Sequence, residues 1–391
     1  MSLVVTGTVN DNILTVKVEG RVDSTSAPTL ESEIFNLINS NPCDKVVLDA
    51  EKLEYISSAG LRVVLKVKKA KADSEIVNVN NDVYEIFEMT GFTDIIKISR
   101  RLRQFSIEGC KLIGQGGVGK IYRYDAETII KVYRPEITME YIERERECSQ
   151  KAFKCGLPTA ISFDVVKVGE CYGVMYELMD ADNLASLIIN NPQDEDFYIK
   201  KYAELAREIH SISQPVGTLQ PASEIFRSSM APMGKWLSEE EISRYDALID
   251  IIPTRNTLIH GDYHEKNVLV RGGELELIDM GDISQGHPMV ELGCVYCSHA
   301  VFSDRVIGIP KERAMKVWDK FCHYYFGEIE DSVKPAFNRL LVWIAALRRL
   351  PFLCMSPLST KELIDSVKAE VFIDTNQVKA DFAVVDKALF N

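Results

Sequence analysis

In the stretch LIHGDYHEKNVLVRGGELELIDMGD, residues 258–282, two carboxylates and an amide stand at fixed intervals. Asp262 and Asn267 are five apart, and Asp279 lies twelve further on. Phosphoryl transfer asks for little covalent help. It needs a carboxylate to orient the acceptor hydroxyl, and oxygen ligands that hold Mg²⁺ on the β- and γ-phosphates. A loop with Asp and Asn, then a strand ending in Asp, supplies these three groups. Any one of them alone is equally a surface turn.

A second stretch supports the set. In LIGQGGVGKIYRYDAETIIKVY, residues 112–133, the run Gly114, four residues, Gly119, Lys120 matches a P-loop up to its last position. That position is Ile121, which has no hydroxyl for Mg²⁺. The continuation is rich in β-branched and aromatic residues with a turn at DAET, so it predicts a hairpin and no helix N-terminus. Read instead as Gly114-x-Gly116-x-x-Gly119, the loop is followed after a hairpin by Lys131. Backbone amides would then cover the phosphates, and a strand lysine would reach the α- and β-phosphates.

Two groups of elements must position these residues. A chain of 391 residues is too long for one ordinary core and predicts two or three domains. Over residues 1–100, strands and helices alternate. ILTVKVEG alternates apolar and polar residues as a half-buried strand does, and SSAGLRVVLKVKKAKA opens with serines able to cap a helix. KVVLDA and EIVNVN are further strands; APTLESEIFNLINSN and NDVYEIFEMTGF are further helices. The polar, basic residues 101–110 read as a linker. Residues 111–180 are strand-rich, and 181–391 are mostly helical.

At these positions the sequence resembles the aminoglycoside phosphotransferase and choline kinase-like family, within the protein kinase-like fold. The resemblance runs from about residue 107 to the end. It implies an α+β bilobal domain with a β-rich N-lobe and a helical C-lobe. It also implies ATP and Mg²⁺ as cofactors, Asp262 as catalytic base, and Asn267 and Asp279 as metal ligands. Lys131 would hold the phosphates, paired with a helix glutamate from IERERECSQ. Glu145 keeps the expected interval to GLPTA; Glu143 and Glu147 are its alternatives. VMYELM resembles the segment between lobes, where the backbone of Glu177 to Met179 would meet adenine. Glu265 and Lys266 stand where the family often has Pro-Gly, which concerns loop shape only.

DAEKLEYISSAGLRVVL, residues 49–65, resembles the sulfate transporter and anti-sigma antagonist domain, STAS, over about residues 1–100. The fold expected there is α/β. In the antagonists a serine at the start of this helix is phosphorylated, and Ser58 holds the matching position. A phosphate there would meet helix N-terminal amides and charge a docking face. Equally, Ser57 and Ser58 cap the helix.

Protein kinases have a lysine two residues after the catalytic Asp and a long activation segment. Here His264 stands at the first position, and IDMGD runs almost at once into ISQGHPMVELG. A small hydroxylated acceptor is expected, with its pocket in the helical region, and the STAS module as a regulator in cis that binds a regulatory protein. The alternative is a signalling switch, in which Ser58 is phosphorylated and the kinase-like domain acts on it or senses nucleotide.

Composition narrows the partners. The net charge of −13 argues against nucleic acid, and the longest basic run, KVKKAKA, reads as a solvated helix face. The longest apolar stretch, LLVWIAAL, falls short of the ~20 residues of a bilayer span. No membrane partner is expected, and no signal peptide is read in MSLVVTGTVN. Nine scattered cysteines fit a reducing cytoplasm, and the Cys294–Cys297 pair lacks a second pair at zinc spacing. His287 and Glu291 are expected to be structural.

Overall fold

The computed structural model describes residues 3–390, and the chain divides into two units, Met1–Phe105 and Ser106–Asn391. In the first unit, β1 (Val4–Asn10) and β2 (Ile13–Val22) form a hairpin. Its two-residue turn, Asp11-Asn12, has φ of 47° and 62°. Both being positive matches the twist of the strands, and Asp and Asn tolerate that geometry. Then follow α1 (Ala27–Ser40), β3 (Lys45–Asp49), β4 (Leu53–Ile56), α2 (Ser58–Ala70), β5 (Ser74–Val79), α3 (Asn81–Met89) and β6 (Lys97–Arg100). The sheet order is β1-β2-β3-β5-β6, with β4 on β2. Every pairing but the first is parallel. Along β2, Leu14, Val16 and Val18 are buried at alternate positions, as period two requires. Ser57 caps α2 by accepting the Gly60 N–H, and Asn80 caps α3 by accepting that of Val83.

The segment 101–110, expected as a linker, holds the short strand β7 (Arg103–Phe105). The second unit begins with β8 (Lys111–Gln115), β9 (Gly119–Arg123) and β10 (Thr128–Tyr133). Then come α4 (Met139–Lys154), β11 (Ser162–Val168) and β12 (Cys171–Glu177). Its strands run antiparallel in the order β11-β12-β10-β9-β8. The glycine loop is thus the turn of a hairpin, between β8 and β9. Gly119 allows the close approach of β10: a Cβ there would lie 2.4 Å from the Val132 carbonyl oxygen.

The rest is largely helical. After β13 (Asp182–Asn183) come α5 (Leu184–Asn190), α6 (Glu195–Ser211), α7 (Ala222–Ser228) and α8 (Glu239–Ile249). Four short strands follow: β14 (Leu258–Ile259), β15 (Val268–Arg271), β16 (Glu274–Leu277) and β17 (Ser284–Gln285). The chain ends in α9 (Pro288–Ala300), α10 (Ser303–Val306), α11 (Lys311–Phe326), α12 (Lys334–Met355), α13 (Lys361–Val371) and α14 (Thr375–Val385). SEEE starts α8 through a capping box between Ser238 and Glu241. A large apolar core fills this helical part. Pro351 sits inside α12, where its missing N–H leaves the Leu347 carbonyl without its helical donor. The buried Tyr245 hydroxyl donates to that carbonyl at 2.7 Å instead.

Candidate active site

Lys131 lies in the middle of β10 and its side chain is 14% exposed. Its Nζ is 2.5 Å from Glu145 Oε1 and 3.5 Å from Asp279 Oδ1. Burial pulls the lysine pKa down, but the charges of Asp279 and Glu145 outweigh it and hold the ammonium above the usual range. Glu145 comes from the buried stripe of α4, which also carries Ile142, Ser149 and Ala152, whereas Glu143 and Glu147 face outward. A cavity of about 560 Å³ surrounds the pair. Gly114, Gly116 and Gly119 form its roof, and Glu177 and Met179 lie on its wall. Asn267 and Asp279 line it as well.

The segment bearing Asp262 is held from several sides. β14 pairs with β17, and β13 pairs with β15, so short ladders clamp both ends of the loop. Inside it, one neutral tautomer of His260 satisfies two contacts. Its Nδ1 accepts the Asp262 N–H at 3.3 Å, and its Nε2–H donates to the Ile278 carbonyl at 3.0 Å. The loop is thereby tied to the residue before Asp279. Gly261 has φ of 86°, and a Cβ there would be 2.3 Å from the Asp282 carbonyl oxygen, so only glycine fits. The fully buried carboxylate of Glu291, on α9, accepts the N–H of His260 at 2.6 Å and of Gly261 at 2.9 Å.

Asp262 is partly exposed. Its carboxylate lies 3.5 Å from His264 Nε2 and 3.4 Å from Arg348 Nη2. Burial pushes its pKa up, but His264 and the Arg348 guanidinium win and keep it well below the usual carboxylate range. Asp262 is therefore ionised throughout the neutral range and able to accept a hydrogen bond from a hydroxyl. Asn267 Nδ2 donates to the Asp262 carbonyl at 3.0 Å and to Oδ2 at 3.3 Å. That use of the amide nitrogen leaves Asn267 Oδ1 uncommitted among the described residues. Asp279 takes a left-handed backbone, φ 61°, a conformation that Asp tolerates better than most residues and that recurs at functional sites.

A cation fits the pair Asn267 and Asp279: both offer hard oxygens on one cavity wall. Among the described residues no three His, Cys, Asp or Glu side chains gather as a self-sufficient cage. Mg²⁺ does not need one, because phosphate oxygens and water complete its octahedron around one or two protein ligands.

Next to Asp262 a second cavity opens, of about 580 Å³. Its wall includes Phe226, Cys294, Phe302, Arg305, Arg348 and Phe352, from α7, α9, α10 and α12 and the turn before α10. The roles of Arg348 and Glu291 carry no local sequence signal. Cys294 and Cys297 are buried one turn apart on α9, and all nine cysteines are free. Further back, the buried His299 on α9 holds Glu265 of the loop that follows Asp262: Nε2 to Oε1 is 2.9 Å, and Nδ1 donates to the Val295 carbonyl at 2.8 Å. The Glu265 carboxylate beside the ring favours its protonated form. Burial lowers its pKa, but the Glu265 charge raises it further.

At the start of α9, burial holds the His287 pKa down, so the ring is neutral. Its Nδ1 accepts the Met289 N–H at 3.0 Å, and its Nε2–H donates to Asp386 at 2.5 Å.

In the first unit, Ser58 is the exposed first residue of α2, one position after the capping Ser57. No helix among the described residues is long and apolar enough to cross a membrane.

Comparison with known proteins gives two matches. The model of the family described as "STAS domain" matches residues 5–105, and that described as "Phosphotransferase enzyme family" matches 119–314. BtrV of Bordetella bronchiseptica, provisionally named an anti-sigma factor antagonist, is 39% identical over 93 residues, 23% of this chain and 79% of BtrV. The anti-sigma-B factor antagonist of Bacillus subtilis is 29% identical over 96 residues, 24% of this chain and 86% of its own. The solved amicoumacin kinase hAmiN, in complex with AMP-PNP, Ca²⁺ and Ami, superposes with a TM-score of 0.50 at 14% identity. That match covers 74% of this chain and 96% of hAmiN, and shows a shared fold.

Proposed function

The chain belongs to the phosphotransferase enzyme family, as a kinase with a hydroxyl acceptor, and carries an N-terminal STAS domain; from that premise we propose that it moves the γ-phosphoryl group of ATP, with Mg²⁺, onto a small molecule, under regulation by the STAS domain. The observation that carries this reading is the placing of the Lys131 Nζ 2.5 Å from Glu145 and 3.5 Å from Asp279, in a cavity roofed by glycines.

Lys131 donates hydrogen bonds to the α- and β-phosphates, and Glu145 fixes its direction. The amides of the Gly114–Gly119 turn cover the phosphates, and the backbone of Glu177 to Met179 meets adenine. Asn267 Oδ1 and the Asp279 carboxylate would hold Mg²⁺, which would supply positive charge to the phosphate oxygens. Asp262 accepts the hydrogen bond of the acceptor hydroxyl, aims its oxygen at phosphorus, and takes the proton as the new bond forms. A weak base suffices, because a loose transition state develops little need for early proton removal. The acceptor enters the cavity beside Asp262. Nine free cysteines suit a cytoplasmic setting.

The test is binding and turnover together. Mg-ATP binds by calorimetry, and acceptor-dependent release of ADP falls by about 10³-fold or more in Asp262→Asn while ATP affinity is retained. Unchanged turnover in that variant refutes the assignment of the base. A second reading, favoured by the exposure of Ser58 at the start of α2, makes Ser58 a phosphoacceptor through which the STAS domain signals. Incubation with γ-labelled ATP separates the two. Label retained on the protein and absent from Ser58→Ala supports the switch; label passed only to an added alcohol supports the small-molecule kinase.

A further inference from the structure

From the cavity beside Asp262, and resting on the phosphotransferase reading above, we infer that the acceptor is an anion: a hydroxylated compound with a carboxylate or phosphate group and an apolar body. The charges of the wall decide this. Two carboxylates face the cavity, Asp262 and Asp282, and a guanidinium already stands between them. Arg348 Nη2 holds both, at 3.4 Å and 3.3 Å. Asp262 is in addition committed to the acceptor hydroxyl. An ammonium group entering here would meet the Arg348 guanidinium beside both carboxylates, like charge against like.

The cations are placed differently. Arg305, Arg348 and Arg349 all line this one cavity of a chain whose net charge is −13. Arg349 is neutralised by Glu370 of α13 at 2.7 Å. Arg305, on α10, is exposed and its guanidinium has no partner among the described residues. Arg348 uses only Nη2 on the two carboxylates. Its Nη1 and Nε therefore keep three N–H donors without an acceptor among the described residues. On Arg305 the whole fork is open, and two parallel guanidinium donors there match the two oxygens of a carboxylate or of a phosphate, while Arg348 adds single donors on the same wall. The same lining carries aromatic surfaces. Phe302 and Phe352 meet edge to face at 6.0 Å, and Phe226 closes the wall. An acceptor with an apolar body between its hydroxyl and its anionic group meets both halves of this lining.

The experiment uses the full chain, Mg-ATP and four alcohols on one skeleton: 3-(hydroxymethyl)benzoate, 3-(hydroxymethyl)phenyl phosphate, 3-methylbenzyl alcohol and 3-(aminomethyl)benzyl alcohol. Turnover is read as ADP release, and binding by calorimetry. The anionic members are expected to show kcat/KM at least about tenfold above the neutral one, with the ammonium compound lowest. Whichever of the carboxylate and the phosphate leads names the group. Arg305→Glu should raise KM for the anionic member about tenfold and leave KM for ATP unchanged. Preference for the ammonium compound, equal use of all four, or an Arg305→Glu variant with unaltered KM overturns the inference. If Mg-ATP binds and none of the four is bound or turned over, the inference also falls while the kinase reading stands. If Mg-ATP does not bind, and Lys131→Ala makes no difference, the kinase reading fails and this inference goes with it.

Discussion

Glu291→Gln is the sharpest probe of how the catalytic loop is held. Glu291 is 1% exposed and accepts two backbone N–H groups, from His260 and Gly261, immediately before Asp262. Gln has the same shape but only one acceptor oxygen. Its NH₂ must face the second N–H, donor against donor. One buried amide is thus left unsatisfied and both bonds lose their charge assistance, a cost of about 2–4 kcal/mol. For a unit of this length that corresponds to a loss of roughly 3–7 °C in melting temperature. Relief comes by moving the loop, and a displacement near 1 Å at Asp262 costs about 10²-fold in turnover. Lys131, Glu145 and Asp279 do not touch Glu291, so ATP affinity is expected to stay within about twofold. The assay pairs urea unfolding with calorimetric titration of Mg-ATP and ADP release under saturating acceptor. A Glu291→Gln protein that melts and turns over like the wild type would refute the idea that this carboxylate sets the loop.

Other outcomes follow from the same geometry. Gly116→Ala meets no atom within 4 Å, whereas at Gly119 a Cβ falls 2.4 Å from the Val132 oxygen. Thermal melts should therefore show Gly119→Ala destabilised by about 1–3 kcal/mol, and Gly116→Ala unchanged in stability but weaker for ATP. Glu265→Gln, which strips a buried imidazolium of its partner, should cost about 3–5 kcal/mol in denaturant unfolding. The pH dependence has a defined sign. The raised pKa of His299 contributes stability fully below about pH 6.5, lost as pH rises through the folded value. Burial raises the pKa of Glu265, but His299 more than offsets it, and the lowered result contributes above about pH 4.3. The stability gap between wild type and Glu265→Gln should be widest between those limits and narrow toward alkaline pH.

The candidate set was legible in the sequence as a group of neighbours where it is local. Asp262, Asn267 and Asp279 fall within 18 consecutive residues, and a tight loop and hairpin suffice to bring them together. Lys131 needed only the hairpin after the glycines. Among Glu143, Glu145 and Glu147, the face of α4 decides: Glu145 falls on the stripe with Ile142 and Ser149, and the other two do not. The alternation in the first unit was readable for the same reason, although β1 was not, since VVTGTVN carries little apolar weight for its length. What stayed hidden comes from afar. Arg348 reaches Asp262 across 86 positions, and Glu291 reaches Gly261 across 30. Nothing in a helix pattern marks a side chain whose partner is fixed only by packing. The two-residue ladders β13–β15 and β14–β17 are too short for any periodicity.

The contact between His287 and Asp386 makes the tail of the chain a keystone. Asp386 also receives Arg255 at 3.4 Å. The imidazole it holds is wholly buried and starts the very helix whose next turn bears Glu291. Trimming at residue 385, or a fusion that pulls this last turn outward, would strand that ring in an apolar pocket and slacken the bracket behind the reacting carboxylate. Wear at the far terminus would then surface as lost turnover, well before the protein as a whole gave way.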